Sequence, residues 1–198
     1  MTDMTLWFDD QVATRPLTVL VFFRGNWCPF CQGYLKELNG DFLRDLRAIG
    51  GEMIGVTAQS SAGAEAAKTD WSLDFDTVSD PSLALANRFT IAITPKAQTP
   101  LAGVESEYPN GMSQAGVVVV DQTGKVLLRW AINPNEMNGG GALDRPLPPV
   151  LWAGLQSALK GDGPVSLEGP RLDPAWLKDN YPDAYALFEA FMAAQYTK

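Results

Sequence analysis

The stretch that decides the fold reads TVLVFFRGNWCPFC, residues 18–31. Its first part, Thr18–Phe23, is a continuous apolar run rich in β-branched and aromatic residues, which is typical of a strand buried on both faces of a parallel sheet. Helical spacing follows over residues 29–49, where apolar residues form one stripe and charged residues lie off it. The stripe consists of Leu35, Leu38, Phe42, Leu46 and Ile49. Gly50-Gly51 then ends the predicted helix.

The alternation of strands and helices continues along the chain. A second apolar strand, Met53–Ala58, completes a βαβ unit with a right-handed crossover. The remaining predicted elements are a helix over 62–70, a strand over 75–78, a helix over 81–89 with Asp80 as its N-cap, a hairpin of Val117–Val120 and Val126–Trp130, and a helix over 150–159. This pattern predicts an α/β fold with a central mixed β-sheet flanked by helices.

Three regions fall outside the alternation. Residues 92–113 hold three prolines and are predicted to be an irregular insertion. Residues 133–149, with three consecutive glycines and four prolines, predict a loop. We therefore expect one domain over residues 1–160 and a C-terminal helical extension over residues 161–198, packed on the domain or on a dimer partner. Within that extension, residues 182–196 are predicted to be a helix with an aromatic face.

Composition narrows the function classes. The chain has 198 residues and carries 23 acidic against 15 basic residues, a net charge of −8, which disfavours binding to nucleic acid or to an anionic membrane. No apolar run is long enough for a transmembrane helix, and residues 1–10 lack the pattern of a signal peptide, so a cytoplasmic location is expected. Histidine is absent, which excludes Ser-His and Cys-His nucleophile pairs and most zinc sites.

The only two cysteines, Cys28 and Cys31, stand three positions apart at the junction of the predicted strand and helix. This spacing predicts a redox-active pair, because two thiolates fall short of the four ligands that zinc takes. Two inert buried thiols, a static disulfide, and a cluster held between two chains remain open as alternatives. Neither a metal nor another cofactor is expected.

The position of Cys28 favours a reactive thiolate. With Cys28 at the N-cap and Pro29 at the first helical position, the sulfur faces the unpaired N–H groups of the first turn and the positive end of the helix dipole. Both effects lower the pKa of this thiol below its ordinary value of about 8.5. Cys31 lies one turn further on and is expected to be more buried. We therefore predict Cys28 as the attacking thiol and Cys31 as the resolving thiol.

Residues 23–31, FRGNWCPFC, resemble the RGxWCP[FY]C signature of peroxiredoxin-like proteins. These proteins form the alkyl hydroperoxide reductase/thiol-specific antioxidant (AhpC/TSA) group of the thioredoxin superfamily. Val78–Pro81, Ala86–Phe89 and the predicted hairpin are also similar, so the resemblance covers residues 17–130. It implies a thioredoxin-like fold and a redox role.

Several positions depart from the family pattern. Peroxiredoxins carry a proline and a threonine seven and three residues before the peroxidatic cysteine, where this chain has Val21 and Gly25. Their arginine near the late hairpin is replaced by Ala115, at the place where thioredoxins carry a cis-proline. The buried aspartate of thioredoxins is replaced by Phe22. Without the threonine and the arginine, the usual cradle for a peroxide is missing.

The leading hypothesis from the sequence is accordingly a thiol–disulfide oxidoreductase. The first alternative is a peroxidase in which peroxide oxidises Cys28 to a sulfenic acid and Cys31 condenses with it. The second is a redox-sensing interaction module. Expected partners are a disulfide-bearing protein or a small thiol or peroxide, and a reductant such as thioredoxin or glutathione.

Seven residues are candidates for substrate binding: Arg24, Asn26, Trp27, Pro29, Phe30, Gln114 and Ala115. Arg24 is predicted either to stabilise the Cys28 thiolate or to be a solvated surface cation. Asn26 is either a donor to the substrate or ordinary turn chemistry. Trp27 is predicted to flank the site as an apolar wall. Phe30 is predicted either to shape the exposed rim of the site or simply to pack against the protein. Gln114 and Ala115 are predicted to form a wall beside the disulfide.

Overall fold

The computed structural model describes residues 3–96, 105–134, 138 and 140–167, and six residues of the C-terminal segment, 178, 179, 182, 185, 186 and 189. The helices are α1 (Met4–Ala13), α2 (Pro29–Glu37), α3 (Leu43–Ala48), α4 (Ser61–Asp70), α5 (Ala84–Arg88) and α6 (Pro148–Leu159). The strands are β1 (Leu17–Phe22), β2 (Gly51–Thr57), β3 (Asp76–Ser79), β4 (Ile93–Thr94), β5 (Met112–Ser113), β6 (Gly116–Asp121), β7 (Val126–Ala131) and β8 (Val165–Ser166).

The main sheet has the strand order β3-β2-β1-β6-β7-β8. The pairs β1–β2, β2–β3 and β7–β8 are parallel, whereas β6 is antiparallel to both β1 and β7. β1 lies between β2 and β6, and all six of its residues are buried. A parallel βαβ unit joined to an antiparallel hairpin in one sheet is a thioredoxin-like arrangement, so the predicted fold class is confirmed.

Side chains of β1 alternate between two core clusters, one on each face of the sheet. Val19 and Val21 belong to the larger cluster, which also holds both cysteines and residues of α2, α3, α4 and α6. Leu20 and Phe22 belong to the second cluster, with residues of α1 and α5. The carboxyl end of β1 leads directly to the cysteines, so the sheet fixes where the pair lies.

The predicted helix over residues 29–49 is not continuous. α2 ends at Glu37, a π-helical turn covers Leu38–Phe42, and α3 follows. Gly40 in this turn has φ −88° and ψ −124°, outside the helical region. The side chain of Asn39 pairs there with Asp74, whose backbone N–H donates to Asn39 Oδ1 at 2.8 Å. The expectation of one helix was therefore wrong, and Ile49 lies off the buried stripe, 41% exposed.

The helix predicted from Pro81 begins three residues later, at Ala84. Leu83 has a left-handed φ of 61°, which interrupts any helix that starts at Pro81. The carboxylate of Asp80 nevertheless caps the helix, because it accepts the N–H groups of Ala84 and Leu85 at 3.2 and 2.8 Å.

The hairpin of β6 and β7 is confirmed, with Gly124 at φ 82° in its turn. The predicted insertion contains β4 and β5, which pair with each other, and its residues 97–104 lie outside the described part. The helices α4 and α6 lie close to their predicted positions, whereas α1 and β8 were not predicted.

The C-terminal helix predicted over residues 182–196 falls mostly outside the described residues. Tyr185, which is described, packs against the larger core cluster. β8 extends the sheet beyond residue 160, and the division of the chain at that point stays a prediction. None of the helices in the described ranges is long and apolar enough to cross a bilayer.

Candidate active site

Cys28 is the N-cap of α2 and Pro29 is the first residue of the helix. Cys28 has an extended backbone, φ −89° and ψ 107°, and its sulfur accepts the backbone N–H of Cys31 at 3.3 Å. Pro29 has no N–H to leave unpaired at this position. The predicted placement of the pair on the first turn is confirmed.

Both thiols are free, and both are completely buried, with 0% exposure. The expectation that Cys31 is the more buried of the two was therefore wrong. The Cys31 thiol donates to Cys28 Sγ over 2.6 Å. Since a disulfide bond is about 2.05 Å long, the sulfurs need to approach by only about half an ångström to bond.

A guanidinium group faces each sulfur. Arg24 Nη2 donates to Cys28 Sγ at 3.2 Å, and Arg145 Nη2 donates to Cys31 Sγ at 3.4 Å. Arg24 is 6% exposed and Arg145 is 0% exposed, so the alternative of a solvated Arg24 is wrong. Each guanidinium also lies over an aromatic ring, Arg24 over Trp27 at 5.5 Å and Arg145 over Tyr34 at 5.4 Å from the ring centroid.

Three N–H positions of these two arginines have no hydrogen-bond partner, Nε of Arg24 and both Nε and Nη1 of Arg145. In a guanidinium group, Nε–H and Nη2–H point from the same edge as a fork. At each arginine Nη2 contacts a sulfur, whereas Nε has no partner. The site therefore presents unused donors beside both sulfurs.

Ionisation of the pair reflects burial and these cations together. Burial raises the pKa of the Cys28 thiol, and the adjacent Cys31 raises it further, against the opposing effects of Arg24 and Arg145. Burial also opposes ionisation of Cys31, but its hydrogen bond with Cys28 and the charges of Arg145 and Arg24 outweigh this, and its pKa falls well below the ordinary value. The adjacent sulfurs share one proton, so the pair loses its first proton early and retains the second.

The lowered pKa predicted for Cys28 from its place at the helix terminus was therefore wrong. That prediction omitted the cost of burying the sulfur completely, which disfavours the charged form. The helix terminus does supply a donor, the Cys31 N–H, but it does not decide the ionisation alone.

A hydrogen-bonded frame holds the segment before Cys28. Tyr108 Oη donates to the carbonyl of Arg24 at 2.7 Å and accepts Trp27 Nε1–H at 2.8 Å. The Gln59 carboxamide accepts the backbone N–H of Asn26 at 2.7 Å and donates to Asn26 Oδ1 at 3.0 Å. A side chain at Gly25 would collide with both Tyr108 and Gln59. These two residues thus fill the space that a side chain at position 25 would need.

The other predicted site residues are placed as follows. Phe30 is 6% exposed and packs in the larger cluster, so its prediction as an exposed rim was wrong. Ala115 is buried in the same cluster as both sulfurs. Gln114 is 1% exposed and donates to Thr94 Oγ1 at 2.6 Å, while its Oε1 has no partner.

Sequence reasoning missed Arg145, Tyr108 and Gln59. Arg145 lies in the loop before α6, which was predicted only as loop, and Tyr108 lies in the predicted insertion. In the described part of the chain, no three metal-ligating side chains come together.

Two adjacent thiols at a helix N-terminus, each facing an arginine, have the electropositive surroundings that are typical of reactive cysteines. A sequence model of the AhpC/TSA family matches residues 9–129, more than half of the chain. The protein therefore belongs to the AhpC/TSA family and is a peroxiredoxin-like oxidoreductase.

Solved structures agree with this assignment at the level of the fold. Peroxidoxin BcpB from Mycobacterium tuberculosis is 14% identical, with a TM-score of 0.54 over 76% of this chain and 83% of that chain. Peroxiredoxin Q from Xanthomonas campestris is 16% identical, with a TM-score of 0.51 over 74% of this chain and 79% of its own. AhpC from Enterococcus faecalis is also 16% identical, with a TM-score of 0.51 over 74% of this chain and 77% of its own. No curated protein matches the chain in sequence.

Proposed function

We propose that the protein is a two-cysteine thiol peroxidase, in which Cys28 reduces a small hydroperoxide and Cys31 resolves the product. The observation that carries this proposal is the complete burial of two adjacent sulfurs that each accept a guanidinium N–H. A small oxidant such as hydrogen peroxide reaches a buried sulfur far more readily than a disulfide within another protein does. Membership of the AhpC/TSA family supports the same reaction class.

Cys28 is the attacking sulfur in this proposal. It accepts three donors, Arg24 Nη2–H, the backbone N–H of Cys31 and the Cys31 thiol, whereas Arg145 Nη2–H is the guanidinium donor to Cys31. Cys31 has the lowered pKa, and the singly ionised pair shares its one remaining proton. The reactive form in this proposal has that proton on Cys31 and the negative charge on Cys28, because three donors face Cys28 Sγ.

The reaction then runs in two steps. The Cys28 thiolate attacks one peroxide oxygen, the O–O bond breaks, and the alkoxide or hydroxide that leaves takes the Cys31 proton, so that Cys28 becomes a sulfenic acid. The Cys31 thiolate attacks the Cys28 sulfur, the S–O bond breaks, and hydroxide leaves and is protonated to water. The peroxide has gained two electrons and the pair has become a disulfide.

Arg24 takes over the role of the missing threonine and hairpin arginine. Its Nε–H has no partner, and Nη2 of the same guanidinium group contacts Cys28 Sγ. An oxygen that approaches this sulfur, or is bonded to it, therefore finds a fixed donor in place. Asn26, the other predicted donor, is engaged with Gln59, so we assign it to the support of this segment.

The remaining candidates line or support the site in this proposal. Trp27 lies under the Arg24 guanidinium, Pro29 sets the first turn, and Phe30 and Ala115 form apolar walls. Gln114 supports the neighbouring segment through Thr94. Two external thiols restore the dithiol, supplied by thioredoxin or glutathione in a reducing compartment such as the cytoplasm.

Thiol–disulfide exchange, the leading hypothesis from the sequence, is the second candidate. Two adjacent thiols on the first turn of α2 support it, because exchange requires an attacking thiol and a second thiol that resolves the mixed disulfide. Exchange with a protein disulfide requires the first turn of α2 to open and expose Cys28. The redox-sensing module stays a prediction, since the aromatic segment that supports it lies largely outside the described residues.

Trapping of the intermediate tests the proposal. The reduced Cys31→Ser variant, treated with hydrogen peroxide and a dione that reacts with sulfenic acids, is expected to gain one adduct at Cys28 by intact mass. Cys28→Ser is the matched control and gains none at Cys31 on the same timescale. An adduct at Cys31 in the control, with none at Cys28, reverses the assignment, and no adduct in either variant favours the exchange reaction.

A further inference from the structure

Arg24 and Arg145 lie in one buried compartment with the two thiols, and in the described part of the chain neither guanidinium group forms an ion pair with a carboxylate. The partners of these two guanidinium groups are sulfur atoms and aromatic faces. Ion pairs in the described ranges involve other cations, namely Arg44, Arg47, Lys68 and Arg88. Among the described residues, the negative charge that faces these two guanidinium groups at hydrogen-bond distance is therefore that of the cysteines.

The balance differs between the two redox states. With the disulfide formed, the sulfurs carry no charge, and both buried guanidinium groups are uncompensated. With one thiolate present, one of the two positive charges is neutralised at hydrogen-bond distance. Because an uncompensated buried charge is costly, the reduced state, in which a thiolate compensates one guanidinium charge, is stabilised relative to the disulfide state.

The tyrosines and the glutamate near the pair in the described ranges do not change this balance of charge. Tyr34 on α2 and Tyr108 before β5 face the site, and burial raises the pKa of both phenols, so they stay neutral. Glu107, beside Tyr108, accepts the hydroxyl of the exposed Ser60 and points to that surface. The Cys28–Cys31 pair is thus the group that supplies negative charge.

We infer that Arg24 and Arg145 make the Cys28–Cys31 disulfide strongly oxidising, so that a monothiol of the glutathione class suffices to reduce it. Stabilising the reduced form of a dithiol pair raises its reduction potential. The inference deepens the proposed function and rests on it for the use of the electrons. The equilibrium itself does not depend on peroxide turnover.

Reduction by a monothiol proceeds by two exchanges. A glutathione thiolate attacks Cys28 Sγ, the S–S bond breaks, and Cys31 leaves as a thiolate that faces Arg145. A second glutathione attacks the glutathione sulfur of the mixed disulfide, and Cys28 leaves. The products are oxidised glutathione and a pair that keeps one proton, so two glutathione thiols are consumed and one proton is released.

The proton released gives the inference a sharp test. The full-length protein is equilibrated in buffers of reduced and oxidised glutathione from pH 6 to pH 8, and the remaining thiols are counted by alkylation and intact mass. The equilibrium constant for reduction is expected to rise about tenfold per pH unit, because one proton appears among the products. A pair that keeps both protons gives a constant independent of pH.

Variants assign the effect to the buried cation. Arg145→Met is expected to lower the equilibrium constant at pH 7 by at least about tenfold, equivalent to about 30 mV, and to flatten its pH dependence. Arg145→Lys keeps the positive charge. It is therefore expected to retain a larger equilibrium constant and a steeper pH dependence than Arg145→Met. Arg88→Met is the matched control, since it removes a cation that pairs with Asp9 away from the sulfurs, and its constant is expected to equal that of the parent protein.

Two outcomes overturn the inference. One is an equilibrium constant for reduction of the wild-type protein that does not change with pH. This result does not depend on whether the variants fold. The other is a disulfide that glutathione leaves oxidised and that only a low-potential dithiol reduces. Neither outcome decides the peroxidase proposal, which the sulfenic-acid trapping tests separately.

Discussion

Position 25 decides the shape of the site at the scale of single residues. A Cβ atom there would lie 2.5 Å from Gln59 Oε1 and would also meet Tyr108 Oη. Both of these side chains are held by hydrogen bonds to the segment that leads into Cys28. A frame made by two distant residues therefore occupies the space beside position 25 and leaves room there only for glycine.

Substitution of Gly25 is expected to disturb this frame. Gly25→Ala should lower the free energy of unfolding by about 2 kcal/mol, because the added methyl group overpacks a closed site. Gly25→Thr should lower it at least as much and should not accelerate oxidation by peroxide. Urea unfolding and stopped-flow oxidation measure the two effects.

A double variant checks the physical reason. Tyr108→Phe removes the hydroxyl that the new methyl group meets. The double variant Gly25→Ala/Tyr108→Phe should therefore lose less free energy of unfolding than the two single variants lose in sum. Strict additivity, or a Gly25→Thr protein as stable as the parent, would contradict this account of position 25.

The sequence revealed the residues of the site that are close together in the chain. The spacing of Cys28 and Cys31, and the position of Arg24 just before them, follow from one stretch at the end of a buried strand. Arg145 lies 114 positions beyond Cys31, and no local pattern links a loop arginine to a sulfur. Tyr108 and Gln59 were missed for the same reason, since their contacts depend on how the insertion and β2 fold back on this stretch.

At the scale of elements, β1 and β2 each bury one threonine. Thr18 and Thr57 are both 0% exposed. The hydroxyl of Thr18 has no partner, whereas Thr57 Oγ1 accepts the N–H of Gln59 at 3.3 Å and donates to the Arg24 carbonyl at 3.4 Å. The two strands thus offer a matched pair of buried hydroxyl groups, one unused and one bonded.

Replacement of each threonine by valine is expected to have opposite effects. Thr18→Val removes an unpaired buried hydroxyl at constant shape and should raise the free energy of unfolding by about 1 kcal/mol. Thr57→Val leaves two backbone groups without their partner and should lower it by about 1 kcal/mol. Urea unfolding of both variants measures the difference, and equal shifts of the same sign would refute the assignment.

Periodicity was enough to predict the elements that form the sheet around the cysteines. The apolar runs of β1 and β2 and the hairpin of β6 and β7 were recognisable because buried strands leave continuous apolar stretches. The break at Gly40 could not be recognised, because the apolar stripe continues through it. The late start of α5 could not be recognised either, because a favourable capping residue, Asp80, precedes the predicted start. Both depend on single backbone conformations, at Gly40 and at Leu83, that residue type alone does not specify.

At the scale of the whole molecule, the buried pair couples folding to pH. Cys31 has a pKa below that of an unfolded cysteine, and Cys28 has a pKa above it. Between the lowered pKa of Cys31 and about 8.5, the unfolded chain binds one proton more than the folded chain, so stability rises with pH. Above about 8.5 the folded chain keeps the Cys28 proton that the unfolded chain loses, so stability falls.

The free energy of unfolding of the reduced protein is therefore expected to reach its maximum near pH 8.5, relative to a Cys28→Ser/Cys31→Ser variant that lacks both thiols. Each limb should change by no more than about 1.4 kcal/mol per pH unit, the limit for one proton. Urea unfolding between pH 6 and pH 10 in the presence of a phosphine reductant measures the difference. A difference that stays constant over this range would contradict the thiolate in the folded protein.

The central claim is that the buried Cys28–Cys31 pair and its arginines form a peroxidatic centre. The most direct test is the rate at which hydrogen peroxide oxidises the fully reduced protein. Stopped-flow mixing is expected to give oxidation at least about a hundredfold faster than that of free cysteine, since one fixed donor at a reacting oxygen contributes a factor of about that size. The fast reaction should disappear in Cys28→Ser and should slow by a similar factor in Arg24→Met. A reduced protein that reacts no faster than free cysteine would contradict the claim, and rapid reaction with a model disulfide in the same preparation would then establish thiol–disulfide exchange in its place.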